Sequence, residues 1–99
     1  MESFFDRQAR KVFDLVVGGT RGGPMRMSIL SQISRKPRNT NEVARALGID
    51  YKTAEYHLRV MKEHGIVSES GGRYGSKFSV SPLFKKWEKI HKRGKNGKK

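Results

Sequence analysis

Apolar residues recur along this chain at two periods. Over residues 3–17, Phe5, Ala9, Val12, Phe13 and Val16 fall at helical spacing behind Ser3, a good capping residue. The pair Gly18 and Gly19 ends that helix. After the loop "GGTRGG", Pro24 suits the first position of a second helix over about 24–35, with Met25, Ile29, Leu30 and Ile33 on one side. Pro37 stops it, because the residue before a proline avoids helical geometry. Asn39 or Thr40 can cap a third helix. Glu42 sits in its first turn, and Val43, Ala44 and Leu47 face inward. Gly48 then interrupts what would otherwise read as continuous helix, and Asp50 caps a fourth over about 51–64. On that helix Ala54, Leu58 and Met61 share one face, while Lys52, Tyr56, Arg59 and Glu63 share the other. Beyond Gly65 the period changes to two. "IVSES" and "KFSVS" read as short strands around the glycine-rich tip "GGRYGS". Leu83, Phe84, Trp87 and Ile90 then mark a last amphipathic helix.

The order explains Gly48. A glycine accepts the left-handed backbone that lets two short helices meet at a steep angle, with the small Ala44 allowing close approach and Ile49 filling the elbow. A helix, a tight turn, a second helix and a hairpin predict a mainly α fold with a small β-hairpin (α+β). It is a winged helix-turn-helix with extra N- and C-terminal helices. One domain is expected over 1–93, with its core at 24–81, flanking helices at 3–17 and 82–93, and a basic, disordered tail at 94–99.

Charge changes the picture most. Twenty-two Lys and Arg against nine Asp and Glu give +13 over 99 residues, and a strongly basic compact chain suits a polyanion, nucleic acid first and an anionic membrane second. The absence of cysteine removes disulfides and the commonest structural zinc sites and fits an intracellular protein. The opening "MESFFDRQARKVFD" carries charge where a secretory leader would be apolar, and the longest uncharged apolar run is "LVVG". No leader and no membrane association are therefore expected, and a cytoplasmic location is.

"NEVARALGIDYKTAEYHLRVMKEHGIV" followed by "RYGSKFSVS" resembles the winged helix-turn-helix of ArsR-like transcriptional regulators. "GGTRGG" and "LGIDYKTAEYHL" look more particularly like small archaeal winged-helix proteins. The likeness spans about residues 18–81, closest at the turn and at "HL" and looser in the wing. It implies binding to double-stranded DNA, usually as a homodimer, with the helix after the turn in the major groove. The metal-sensing members carry cysteine or histidine clusters. This chain has no cysteine and only His57, His64 and His91, so metal sensing is not expected.

The residues assign parts in that reading. Lys52 and Arg59 can donate to guanine O6 and N7, Thr53 can touch a thymine methyl or a phosphate, and Tyr51 and Tyr56 can meet phosphate and sugar. Glu55 either accepts from cytosine N4 or pairs with Arg59 one turn on, the pair being preferred. Arg73 and Lys77 lie in or beside the hairpin tip, where an arginine suits the narrow minor groove of A·T-rich DNA. Arg38 and Thr40 flank a helix start whose amide groups can hold a phosphate. Arg21 fits either a loop-bracing or a DNA role. Residues 85–99 hold eight Lys or Arg, which can add non-specific phosphate contacts.

Apolar residues of the first and last helices exceed what a minimal winged helix buries. Phe5, Val12, Phe13, Val16, Trp87 and Ile90 are assigned to a two-fold interface, the alternative being that both helices fold onto their own domain. His57 is read as a core-edge histidine and not as a ligand. No catalytic constellation appears, "GGTRGG" lacks the features of a phosphate loop, and no enzyme, cofactor or small-molecule effector is expected. Two rivals to a transcriptional regulator stay open: a nucleoid-type protein that coats DNA with little sequence preference, and a winged-helix module that binds proteins.

Overall fold

The computed structural model describes residues 3–18, 21–72 and 75–96, with the side chains at 5, 9, 15 and 90–96 outside that description. Five helices and one hairpin follow each other: α1 (Phe4–Phe13), α2 (Gly23–Arg35), α3 (Thr40–Leu47), α4 (Tyr51–Glu63), β1 (Val67–Gly72), β2 (Gly75–Val80) and α5 (Pro82–Asn96). Between α1 and α2 the segment Asp14–Gly18 widens into a π-helical turn. The first α-helix is thus shorter than its apolar pattern, and within the widened turn the Val16 carbonyl accepts from a side chain of α2 (Arg26 Nη1, 2.7 Å). At the far end α5 continues through Asn96, so residues 94–96 extend a helix instead of starting a disordered tail, and 97–99 lie outside the described residues.

Local chemistry accounts for the helix ends. Ser3 and Asp6 form a reciprocal cap on α1, and Asn39 and Glu42 form one on α3, each pair exchanging side-chain and backbone hydrogen bonds. Lys36, just before Pro37, is fully extended and closes α2. Gly48 takes φ 66°, with Gly48 N donating to Arg45 O (3.4 Å) and Ile49 N to Ala44 O (3.0 Å). The end of α4 repeats the device: Gly65 takes φ 76°, Gly65 N donates to Lys62 O (3.0 Å) and Ile66 N to Met61 O (2.9 Å). Both are Schellman closures in which an isoleucine after the glycine turns back onto the core. Ile66 is fully buried and Ile49 packs partly buried against the same cluster.

The hairpin is antiparallel, with Val67 opposite Val80 and Glu69 opposite Phe78, through to Gly72 opposite Gly75. Arg38 adds a single rung beside β2, exchanging backbone hydrogen bonds with Phe78 in both directions (3.1 and 2.7 Å). Ser81 fastens α5 to the rest. Its hydroxyl donates to Gly65 O at 2.6 Å and accepts from Phe84 N at 3.4 Å.

One core joins all of this. Ile29, Leu30 and Ile33 of α2 meet Val43 and Ala44 of α3, Ala54, Leu58 and Met61 of α4, and Ile66 beyond it. Phe13 and Val16 are 1% and 3% exposed within the same cluster, and Trp87 stacks on Phe13 with centroids 4.5 Å apart and planes 12° from parallel. This corrects the interface expectation for Phe13 and Val16: α1 and α5 cover each other, tied further by Lys86 to Asp6 at 3.4 Å, so both residues are already dry inside one chain. Val12 and Trp87 are partly buried against the core, and the side chains of Phe5 and Ile90 lie outside the described residues.

Two glycines make opposite demands. At Gly23 a Cβ would run into the Val17 carbonyl, whereas at Gly48 a Cβ meets nothing and only the positive φ is costly. Gly48→Ala is therefore expected to lose about 1–2 kcal/mol, and Gly23→Ala about 3 kcal/mol, since the obstacle is backbone. Urea unfolding followed by circular dichroism measures both, and equal losses would contradict the assignment.

Candidate nucleic-acid interface

The candidate surface is built on α4. Ala54, Leu58 and Met61 lock one side of it into the core, which leaves Tyr51 (51% exposed), Lys52, Tyr56 (58%) and Arg59 in solvent. Thr53 is half-buried, and its hydroxyl donates to the Asp50 carboxylate at the helix start. Asp50 occupies the N-cap position but makes no side-chain hydrogen bond to the helix backbone. Glu55 pairs with Arg59, Oε2 to Nη2 at 3.7 Å. Both side chains are largely exposed, so the pair contributes no more than about 1 kcal/mol.

An open groove of about 420 Å³ runs between the start of α3, the flank of α4 and the hairpin. Thr40, Tyr51 and Arg59 line it together, joined by Asn39, which the sequence marks only as a cap, and by Asn41, Lys62 and Ser76, which it does not single out. Lys52 and Tyr56 project from the same helix without lining this groove. Its cations have partners: Lys62 Nζ holds Glu69 Oε1 at 2.7 Å, and the Lys62 and Ser76 hydrogen bonds keep the Glu69 carboxyl below the usual range.

Arg38 is half-buried: its backbone pairs with Phe78 of the hairpin, and its Nε donates to Gln32 O of α2 at 3.2 Å. Lys77 is exposed on β2, and Arg73 lies outside the described residues. Charge gathers at the α3 start all the same. Glu42 has its carboxyl pulled below the ordinary range first by the Asn39 N–H and then by Lys77, Arg38 and Lys36. Lys36 was missed because Pro37 beside it reads only as a stop.

Arg26 was missed as well. It is buried on the apolar side of α2, where its spacing from Ile29, Leu30 and Ile33 was the available signal. Its Nε donates to His57 Nδ1 at 3.1 Å, and His57 is buried as well. Among the described residues no group of three or more His, Cys, Asp or Glu can hold a metal ion, and no helix is long and apolar enough to cross a membrane.

Residues 23–69 match the helix-turn-helix domain family. No curated protein matches the chain. Among solved structures the chain is similar to the homodimeric winged helix-turn-helix DNA-binding domain of Mb0332 from Mycobacterium bovis, a possible ArsR-family transcriptional regulator. That likeness has 16% identity and a TM-score of 0.68, over 94% of this chain and 81% of the other. It is similar also to reduced HlyU from Vibrio cholerae (16%, TM-score 0.67, 88% and 90% covered) and to MepR in its DNA complex from S. aureus (12%, TM-score 0.63, 94% and 77% covered). At these identities the likeness is one of fold. The chain thus has a winged helix-turn-helix fold, and its residues 23–69 match the model of the helix-turn-helix domain family.

Proposed function

We propose that this protein is a DNA-binding transcriptional regulator that reads duplex DNA in the cytoplasm as a homodimer, α4 entering the major groove. The observation that carries this reading is the division of α4: a dry seam on one side, and Tyr51, Lys52, Tyr56 and Arg59 in solvent on the other. A helix with side chains is about 10–12 Å across and the major groove about 12 Å wide, so the free face can reach base edges while the seam stays docked. Arg59 gains by leaving Glu55. An exposed ion pair is worth up to about 1 kcal/mol, and a bidentate contact to guanine about 1–3 kcal/mol. Thr40, Lys77 and, by sequence, Arg73 then face the flanking backbone or the minor groove.

The homodimer draws on surface that α1 and α5 leave uncovered. Phe4 is 60% exposed, Val12 and Trp87 are only partly buried, and the sequence puts Phe5 and Ile90 on the same helices. The homodimeric state of the M. bovis domain of similar fold supports this. Kinship with small archaeal winged-helix proteins stays part of the proposal, on "GGTRGG" and "LGIDYKTAEYHL". The cations at 85–99 favour one rival, a nucleoid-type protein that coats DNA.

Selection of bound duplexes from a random pool tests the reading. The expected winners are pseudo-palindromes with half-sites about 34 Å apart, bound about 10³-fold or more tighter than random DNA. A ratio near one would replace regulation by coating, and unrepeated single sites would remove the dimer. On a selected site Arg59→Ala is expected to cost about 1–3 kcal/mol at fixed salt, and an unchanged dissociation constant would release Arg59 from base reading.

A further inference from the structure

Beneath α4 a cation is buried where a helix surface would normally be apolar. Arg26, 7% exposed, reaches from α2 to two other elements at once. Its Nη1 donates to Val16 O in the widened turn after α1 (2.7 Å), its Nε donates to His57 Nδ1 in α4 (3.1 Å), and its Cζ lies 6.0 Å from the centre of the Tyr56 ring. Tyr56 in turn meets the His57 ring edge-on, centroids 5.3 Å apart. Gly22 leaves room for the assembly, since a Cβ there would come within 2.9 Å of His57 Cε1 and 3.3 Å of Arg26 Cζ. The two buried polar side chains are joined end to end, and the chain of contacts finishes on an exposed ring of the proposed reading face.

The bond requires a neutral imidazole. An Arg Nε–H only donates, so His57 Nδ1 must accept and its proton sits on Nε2. A proton on Nδ1 would set N–H against N–H and one cation against another. We propose that the Arg26–His57 bond is a positioning contact that holds α4, and Tyr56 on it, in the DNA-reading orientation, and that protonating His57 releases it, so that acid weakens DNA binding. The proposal rests on the DNA-binding reading above.

The surroundings do not offset a charge on His57. Of the elements packed on α4, α3 carries Glu42, committed to the Asn39 backbone, and Arg45, while β1 carries Glu69, committed to Lys62. On α4 itself Glu55 is paired with Arg59 and Glu63 is exposed at the far end, while Asp50 at its N-cap is bonded by Thr53. Arg26, from α2, is the charged group that acts on the imidazole. Burial first, and Arg26 second, hold the His57 pKa below the ordinary imidazole value. A group depressed in the folded state contributes its full share above the unfolded pKa, about 6.5, and loses it as pH falls from there.

The test compares the full chain with His57→Gln, whose amide oxygen can accept from Arg26 without titrating, and with Arg26→Met. Duplex affinity is measured at fixed salt from about pH 7.5 to about pH 5.5, with helix content followed by circular dichroism and the His57 ring by NMR. His64 and His91 remain in every variant, so their gain of charge cancels in the comparison. Relative to His57→Gln, the native chain is expected to lose affinity progressively on acidification while still folded, by less than about tenfold at about pH 5.5, because one group titrating below about 6.5 can move the equilibrium no further there. In Arg26→Met the His57 ring is expected to titrate at higher pH than in the native chain. Superimposable pH profiles for the native chain and His57→Gln would overturn the proposal while leaving DNA binding intact. So would a loss that merely tracks unfolding. Failure of every variant to bind duplex at about pH 7.5 and low salt would remove the DNA reading, and this proposal with it.

Discussion

The fold and the proposed function both rest on how α4 is docked. Ala54, Leu58 and Met61 are fully buried against α2, α3 and the α4–β1 corner, and burial of each of the two larger side chains supplies about 1.5–3 kcal/mol. That seam fixes the rotation of the helix about its own axis. Rotation then decides which side chains face outward, and the outward set is Tyr51, Lys52, Tyr56 and Arg59. A helix with the same charges but a looser seam would present an average of faces, and base reading needs one.

Two short glycine closures deliver the chain to that seam and carry it away. Gly48 and Gly65 each reverse the backbone within a residue, satisfy carbonyls at the end of a helix, and aim an isoleucine inward. The first sets α3 against α4; the second sends the chain into β1 beside the groove. Ser81 then returns to the second corner through the Gly65 carbonyl, so hairpin, α5 and α4 share one junction. Arg26 forms a comparable junction on the other side, between the end of α1 and α4.

Much of this was legible in the residues, for a physical reason. Caps, glycine stops and helix faces are local: Ser3, Asn39, Gly48 and the Ala54–Leu58–Met61 stripe act within a turn or two of themselves, as does the Glu55–Arg59 pair. Periodicity also marks which side of a helix is apolar, but not what covers it. Phe13 and Val16 were assigned to a second chain for that reason, whereas α5 and the core cover them. The Arg38 rung on Phe78 and the Arg26–His57 bond join residues far apart in the chain, and no local spacing encodes them. An arginine in line with Ile29, Leu30 and Ile33 was the one visible trace of the second.

The central claim is that the solvent face of α4 is the surface that meets DNA. Backbone amide shifts of the labelled chain, followed by NMR during titration with a short duplex, test it most directly. The account predicts the largest changes over residues 51–59 and at the start of α3, with α1 and the first half of α5 little altered. Changes concentrated on α1 and α5, with α4 unmoved, would contradict it.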